Sequence, residues 1–127
     1  MIDFFIICPV RGATEEDKEI LDRWVNLLES AGYTVYFPPR DTNQNDPVGW
    51  GICQANLAAI KDAKAVLVYY TPTSLGTHFD LGMAFALGKP IVVLNDLPWV
   101  EGKAFCTVLR AWAVTTAERA RALWQDK

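Results

Sequence analysis

The sequence predicts an α/β fold: a flavodoxin-like three-layer sandwich around a five-stranded parallel sheet, in the order 2-1-3-4-5. Three observations predict it. Short apolar runs of strand length alternate with longer segments whose apolar residues recur at helical spacing. The runs are apolar throughout instead of alternating with polar residues, the pattern of strands covered on both faces. Finally, 127 residues with 51% hydrophobic and 21% charged side chains suit one folded core, so residues 1–127 are read as a single domain.

The elements follow in order. Ile2 to Cys8 reads as the first strand. Thr14 is a plausible N-cap for the helix after it, with Glu15, Glu16 and Asp17 placed where a helix N-terminus favours acids. The apolar stripe of that helix is Ile20, Leu21, Trp24, Leu27, Leu28 and Ala31, and Gly32 stops it. Tyr33 to Phe37 is a second strand, ended by Pro38 and Pro39. Arg40 to Asp46 is polar and irregular. Its Asp41, Asn43, Asn45 spacing imitates a calcium loop, but Asp46 stands where that loop needs Gly and Ile52 where it needs Glu, so calcium is rejected. Asp46-Pro47 instead opens a helix running to about Asp62. The third strand is Ala65 to Tyr70. A helix from about Phe79 to Leu87, closed by Gly88, leads to a fourth strand at Pro90 to Leu94. Trp99 to Leu109 is ambiguous, Trp112 to Val114 reads as a short fifth strand, and Thr116 to Gln125 as a final helix.

Open parallel sheets bind ligands beyond the carboxyl ends of strands, where the strand order reverses. In this order the reversal falls between strands one and three, and it selects the loops Pro9–Thr14 and Thr71–Asp80. In the first, Arg11 beside Gly12 at a helix entrance has the donors to clamp a phosphate, although a solvated arginine next to a turn glycine is the commoner arrangement. In the second, Gly76 permits close backbone approach, while Ser74 and Thr77 offer hydroxyls. Asp80 lies at helical spacing from Ala84 and Leu87, on an inward stripe where a carboxylate is either paired or functional. Thr77-x-x-Asp80 also has the spacing of a capping box, in which Asp80 merely closes its own helix.

Composition removes several classes of function. The net charge of -3 lacks the basic face that a nucleic-acid backbone requires. Cys8, Cys53 and Cys106 form no CxxC pair and, with one histidine, make no zinc set, so they are read as free thiols and no metal is assigned. No run reaches membrane-span length, and the chain is read as cytoplasmic, with no membrane partner.

The segment Ser74-Leu-Gly-Thr-His-Phe-Asp80-Leu-Gly-Met-Ala-Phe-Ala-Leu-Gly-Lys-Pro90 resembles the signature of the nucleoside 2-deoxyribosyltransferase superfamily, most of all its deoxynucleoside 5′-monophosphate N-glycosidase branch. Arg11-Gly12 and Asn56-Leu57 fall where that family has matching elements, and the resemblance spans Phe4 to Leu94. It implies an enzyme acting at an N-glycosidic bond, with Asp80 in the place of the catalytic glutamate, as nucleophile or stabiliser of an oxocarbenium ion. It places Asn56 where an aspartate helps hold or protonate the base, Phe5 where a tyrosine is common, and Ser74 and Gly76 at phosphate-loop positions. Arg11, Gly12, Thr77, Tyr70 and His78 complete the set of candidate substrate-binding residues, and Trp50 is a candidate to stack on a base. The implied partner is a small nucleoside or nucleotide, with no cofactor and a homodimer or larger homo-oligomer.

The chain departs from the family pattern at three points. Asp80 is one methylene shorter than glutamate, Asn56 carries no acidic proton, and Cys8-Pro9 replaces a small Gly/Ser pair. They support the alternative of a nucleotide-binding or sensing protein with little turnover. A distant relation to phosphoribohydrolases that release cytokinin-type bases ranks last, because their full double-Gly loop is absent.

Overall fold

The computed structural model describes residues 1–125. The strands are β1 (Ile2–Ile7), β2 (Val35–Tyr36), β3 (Ala63–Val68) and β4 (Ile91–Val93), all parallel, in the order β2-β1-β3-β4. The helices are α1 (Glu15–Ser30), α2 (Pro38–Asp41), α3 (Trp50–Asp62), α4 (Leu75–Ala86), α5 (Phe105–Thr115) and α6 (Ala117–Gln125).

The apolar run of β1 divides its side chains between two cores because successive strand residues point to opposite faces. Phe4, Ile6 and Cys8 pack with Leu21, Val25 and Leu28 of α1. Phe5 and Ile7 pack with Ala59 and Ile60 of α3, Leu81 and Ala84 of α4, and Cys106 and Leu109 of α5. β3 does the same, sending Ala65, Leu67 and Tyr69 one way and Val66, Val68 and Tyr70 the other. Helices thus cover both faces of the sheet. Each large aliphatic or aromatic side chain buried here contributes about 1.5–3 kcal/mol of hydrophobic stabilisation, before conformational entropy is set against it.

Local signals set the ends of α1. Thr14 Oγ1 accepts from the Asp17 amide and Asp17 Oδ2 accepts from the Thr14 amide, both at 3.0 Å, a reciprocal capping box. Asp17 also accepts from the Tyr69 hydroxyl at 2.7 Å, which ties the start of α1 to the end of β3. The chain leaves α1 through Gly32 at φ 92°, a left-handed conformation that glycine adopts without strain. Of the expected stripe, Leu21 and Leu28 are buried, whereas Leu27 is 62% exposed and Val25 takes the inward position.

The expected fifth strand is corrected. Trp112 to Val114 lies in the last turns of α5, and the described residues contain four strands. Cys106, Leu109 and Ala113 recur at helical spacing and pack on the core together with Trp112, so the three-residue apolar run was one segment of a helical stripe. Two helices also begin elsewhere than expected. Asp46 lies before α3 and not at its cap, yet its carboxylate accepts from the amides of Val48 at 3.3 Å and Ile52 at 3.1 Å, so it still serves the helix start from a loop. α4 begins at Leu75, four residues ahead of Phe79, because Ser74 caps it. No helix among the described residues is long and apolar enough to cross a membrane.

Candidate active site

The strand order reverses between β1 and β3, and both loops selected from the sequence run from the carboxyl ends of those strands. Val10 and Arg11 from the first, and Thr73, Ser74, Leu75, Gly76, Phe79 and Asp80 from the second, line one cleft of about 460 Å³. Pro38, Gln44, Ile52, Cys53 and Asn56 form its other wall, and Cys8 lies at its base. That volume falls in the range of pockets for small-molecule ligands.

The geometry of α4 decides which loop residues face the cleft. Ser74 Oγ accepts from the Thr77 amide at 3.1 Å, which starts the helix and leaves the first-turn amides of Leu75 and Gly76 without intrahelical acceptors. A Cβ at Gly76 would meet no atom within 4 Å beyond its own neighbours and helix backbone, so the cleft is open beside the start of α4. Gly76 and Asp80, four residues apart, share one face of α4. Asp80 does not close its own helix, since the cap is Ser74.

Asp80 is 9% exposed. Its Oδ2 accepts from Asn56 Nδ2 of α3 at 3.4 Å, and no cation among the described residues pairs with it. Burial pushes its carboxyl up to about 6, against the opposing effect of the Asn56 hydrogen bond. Asn56 Oδ1 in turn accepts from Thr42 Oγ1 at 2.8 Å. Burial, and then the charge of Asp80, pushes the Cys8 thiol up to about 12, so it stays protonated and is no nucleophile at neutral pH.

The remaining sequence-selected residues lie outside the lining of this cleft. Phe5 is fully buried and stacks on Tyr36 with ring centroids 5.4 Å apart. Gly12 takes φ 73° in the turn after Arg11. Thr77 is fully buried and its hydroxyl has no protein partner. His78 faces the other side of α4, in a groove with Leu81, Phe85, Phe105 and Trp112. Its Nδ1 donates to the Ser74 carbonyl at 2.7 Å, and its Nε2 meets the Tyr70 hydroxyl at 2.9 Å. Tyr70 is held by Asn95, which bonds both its amide and its carbonyl at 2.8 Å. Trp50, at the start of α3, is 70% exposed and does not line the cleft.

Thr42, Tyr36, Gln44 and Cys53 were not selected from the sequence. Tyr36, Thr42 and Gln44 come from segments that only the fold brings to α4, whereas Cys53 lies three residues from Asn56 on α3, a helical spacing that could have found it. Two larger grooves, of about 660 Å³ beside β4 and about 740 Å³ beside α1, hold no buried carboxylate. The smaller cleft is the one that places an ionisable group out of water, and it is therefore the candidate site. Among the described residues, no three His, Cys, Asp or Glu side chains gather in a way that would hold a metal ion.

Among curated proteins none matches the sequence. The fold resembles that of a CMP N-glycosidase, BcmB, from Clostridium botulinum, with a TM-score of 0.62 and 23% identity over 87% of this chain and 82% of that one. It also resembles a metazoan TIR-STING receptor from C. gigas, with a TM-score of 0.56 and 22% identity. That match covers 94% of this chain and 39% of the receptor chain. At these identities the likeness is one of fold. The family model for nucleoside 2-deoxyribosyltransferase matches residues 6–103, a span that contains the end of β1, α4 and every residue lining the cleft, and the chain belongs to that family.

Proposed function

We propose that this protein cleaves or transfers at the N-glycosidic bond of a nucleoside or nucleoside 5′-monophosphate, with Asp80 as the group that meets the anomeric carbon. One observation carries the reading. A carboxylate with no cationic partner is held almost out of water on the floor of a nucleotide-sized cleft, at the reversal point of a parallel sheet. Breaking the bond between sugar and base builds positive charge on the sugar. A desolvated carboxylate stabilises that charge far better than one in water, either as an ion pair or by forming a glycosyl ester. With its carboxyl near 6, Asp80 is mostly ionised at neutral pH, the form this role requires.

The cleft also suits a 5′-phosphate. Arg11 lines it, and the free first-turn amides of α4 point the positive end of a helix at it. Ser74 serves that end by fixing where the helix starts. Asn56 contributes a hydrogen bond to Asp80 and stands where the base departs.

Family membership supports this chemistry as a class, and the name of the fold neighbour from Clostridium botulinum supports a nucleoside monophosphate as substrate. A second reading, a nucleotide-binding protein with little turnover, rests on the lack of a proton donor opposite Asp80. Asn56 has no acidic proton, and His78 faces another groove. Incubation with a panel of ribo- and deoxyribonucleoside monophosphates, followed by chromatography for free base, separates the two. Base release that disappears in Asp80→Ala supports the enzyme. Saturable binding without release supports the binding protein, and the absence of both release and binding refutes the assignment of the cleft.

A further inference from the structure

Asn56 meets Asp80 through a side-chain amide, and an amide has two ends. With the NH2 group toward Asp80 it donates to a carboxylate; turned over, it sets a carbonyl oxygen against one. Which end faces Asp80 therefore bears on whether that carboxyl can stay ionised. The answer lies behind the cleft wall. Thr42, 5% exposed, has its Oγ1 at 2.8 Å from Asn56 Oδ1 and at 2.7 Å from the Tyr36 hydroxyl.

Counting protons fixes the direction. Asn56 Oδ1 has none, so the single Thr42 hydroxyl proton goes to it. Thr42 then has none left for Tyr36, so the Tyr36 hydroxyl donates to Thr42. The chain of donation runs from Tyr36 to Thr42 to the Asn56 carbonyl, and from the Asn56 NH2 to Asp80 Oδ2. The Tyr36 hydroxyl also lies 3.4 Å from the Asp41 carbonyl. That second acceptor allows the reverse arrangement. A protonated Asp80 donates to the turned-over Asn56, the amide NH2 donates to Thr42, Thr42 to Tyr36, and Tyr36 to Asp41. Both arrangements use the 2.7 Å contact between Thr42 and Tyr36, but only the reverse one also needs the Tyr36 proton to reach the Asp41 carbonyl at 3.4 Å, a long contact for a hydroxyl donor, and this favours the first. Phe5, stacked on the Tyr36 ring at an interplanar angle of 9°, holds the far end of the relay in place.

We propose that Thr42 and Tyr36 are positioning residues, which hold the Asn56 amide with its NH2 group toward Asp80 and so keep that carboxyl an ionised acceptor facing the bound sugar. The value of this to catalysis rests on the function proposed above; the relay itself does not. The other ionisable groups around Asp80 do not take over its role. Cys8, at the end of β1, stays a neutral thiol; Arg11 lines the cleft from the loop beyond β1 and Cys53 lines it from α3; His78, on the same helix as Asp80, faces the opposite groove.

The test is a pH titration of the Asp80 carboxyl carbon by NMR in protein labelled at aspartate, assigned by its disappearance in Asp80→Asn. It is run on the wild type, Thr42→Val, Thr42→Ser and Tyr36→Phe, alongside the pH profile of base release. In Thr42→Val the midpoint moves up by about half to one unit, the size expected for loss of one oriented hydrogen bond. Thr42→Ser, which keeps the hydroxyl, restores the wild-type midpoint, and Tyr36→Phe moves it up by a smaller amount. Thermal unfolding of each variant checks that the fold is retained. An unchanged midpoint in folded Thr42→Val overturns the proposal, as does a Thr42→Ser midpoint that follows the valine variant. If the midpoints move as stated while no nucleotide releases base, the relay stands and the glycosidase reading fails.

Discussion

Replacing Asp80 by asparagine should stabilise this protein above neutral pH, and the gain should vanish in acid. Asp80→Asn keeps the shape of the side chain and removes its ionisation. In the folded protein burial pushes the carboxyl up to about 6, against 3.8 for an ordinary aspartate. A folded value above the unfolded one means that ionisation costs more in the native state than in the unfolded chain. The Asp80 contribution to stability is then whole below about pH 4 and is lost as pH rises through 6. The difference of roughly two units corresponds to about 3 kcal/mol at pH 8. The partner bond survives in part, because the asparagine oxygen still accepts from Asn56. Chemical denaturation of wild type and variant at half-unit steps from pH 4 to pH 8 measures the gap directly. The predicted gap opens between pH 4 and 6 and then stays level. A gap that is constant with pH, or that closes as pH rises, refutes the claim that Asp80 is held ionisable but desolvated.

Three further outcomes follow from the same geometry. Arg11→Ala raises KM for a nucleoside 5′-monophosphate by roughly ten- to a hundredfold, as expected for loss of a charged hydrogen bond, and leaves KM for the free nucleoside little changed; steady-state base-release assays on both substrates check this. Asn56→Asp sets two carboxyls side by side, so they titrate as a pair, and the acid limb of the pH–rate profile moves up by about one unit or more; a profile that keeps its wild-type limb contradicts the contact between positions 56 and 80. The exposed Leu75 and Phe79 on the cleft rim, 85% and 51% accessible, fit the expectation of a homo-oligomer that covers them. Sedimentation equilibrium reads a dimer or larger species that Leu75→Glu disperses.

The part of this fold that was legible in the sequence is the part governed by local chemistry. Thr14 caps α1 as its residue type predicts, the acidic first turn supplies Asp17 to complete the box, and Gly32 ends the helix. The strand order around β1 and β3 follows from the alternation of elements, and it places the cleft without any motif. Where long-range contacts decide, the sequence is silent. One local signal was missed as well: Ser74-Leu-Gly-Thr reads as a glycine loop, yet the Ser74 hydroxyl, accepting from the Thr77 amide, makes it the first turn of α4 and sends Thr77 inward. Strands that are apolar on both faces give no sign of which side chain points where. The family resemblance puts Phe5 at a site position and the end of the third strand puts Tyr70 there, although Phe5 packs under Tyr36 and Tyr70 toward His78. The Tyr36–Thr42–Asn56 relay joins residues from three segments, and its partners become neighbours only once the sheet has formed.

The central claim concerns one distance, and a crystal structure of Asp80→Asn soaked with a nucleoside 5′-monophosphate measures it. The account predicts the anomeric carbon within about 3.5 Å of the residue 80 side chain, a reacting distance, with the phosphate at Arg11 and the amides of Leu75 and Gly76. A nucleotide seated in the groove beside β4 or beside α1, with residue 80 left untouched, contradicts it.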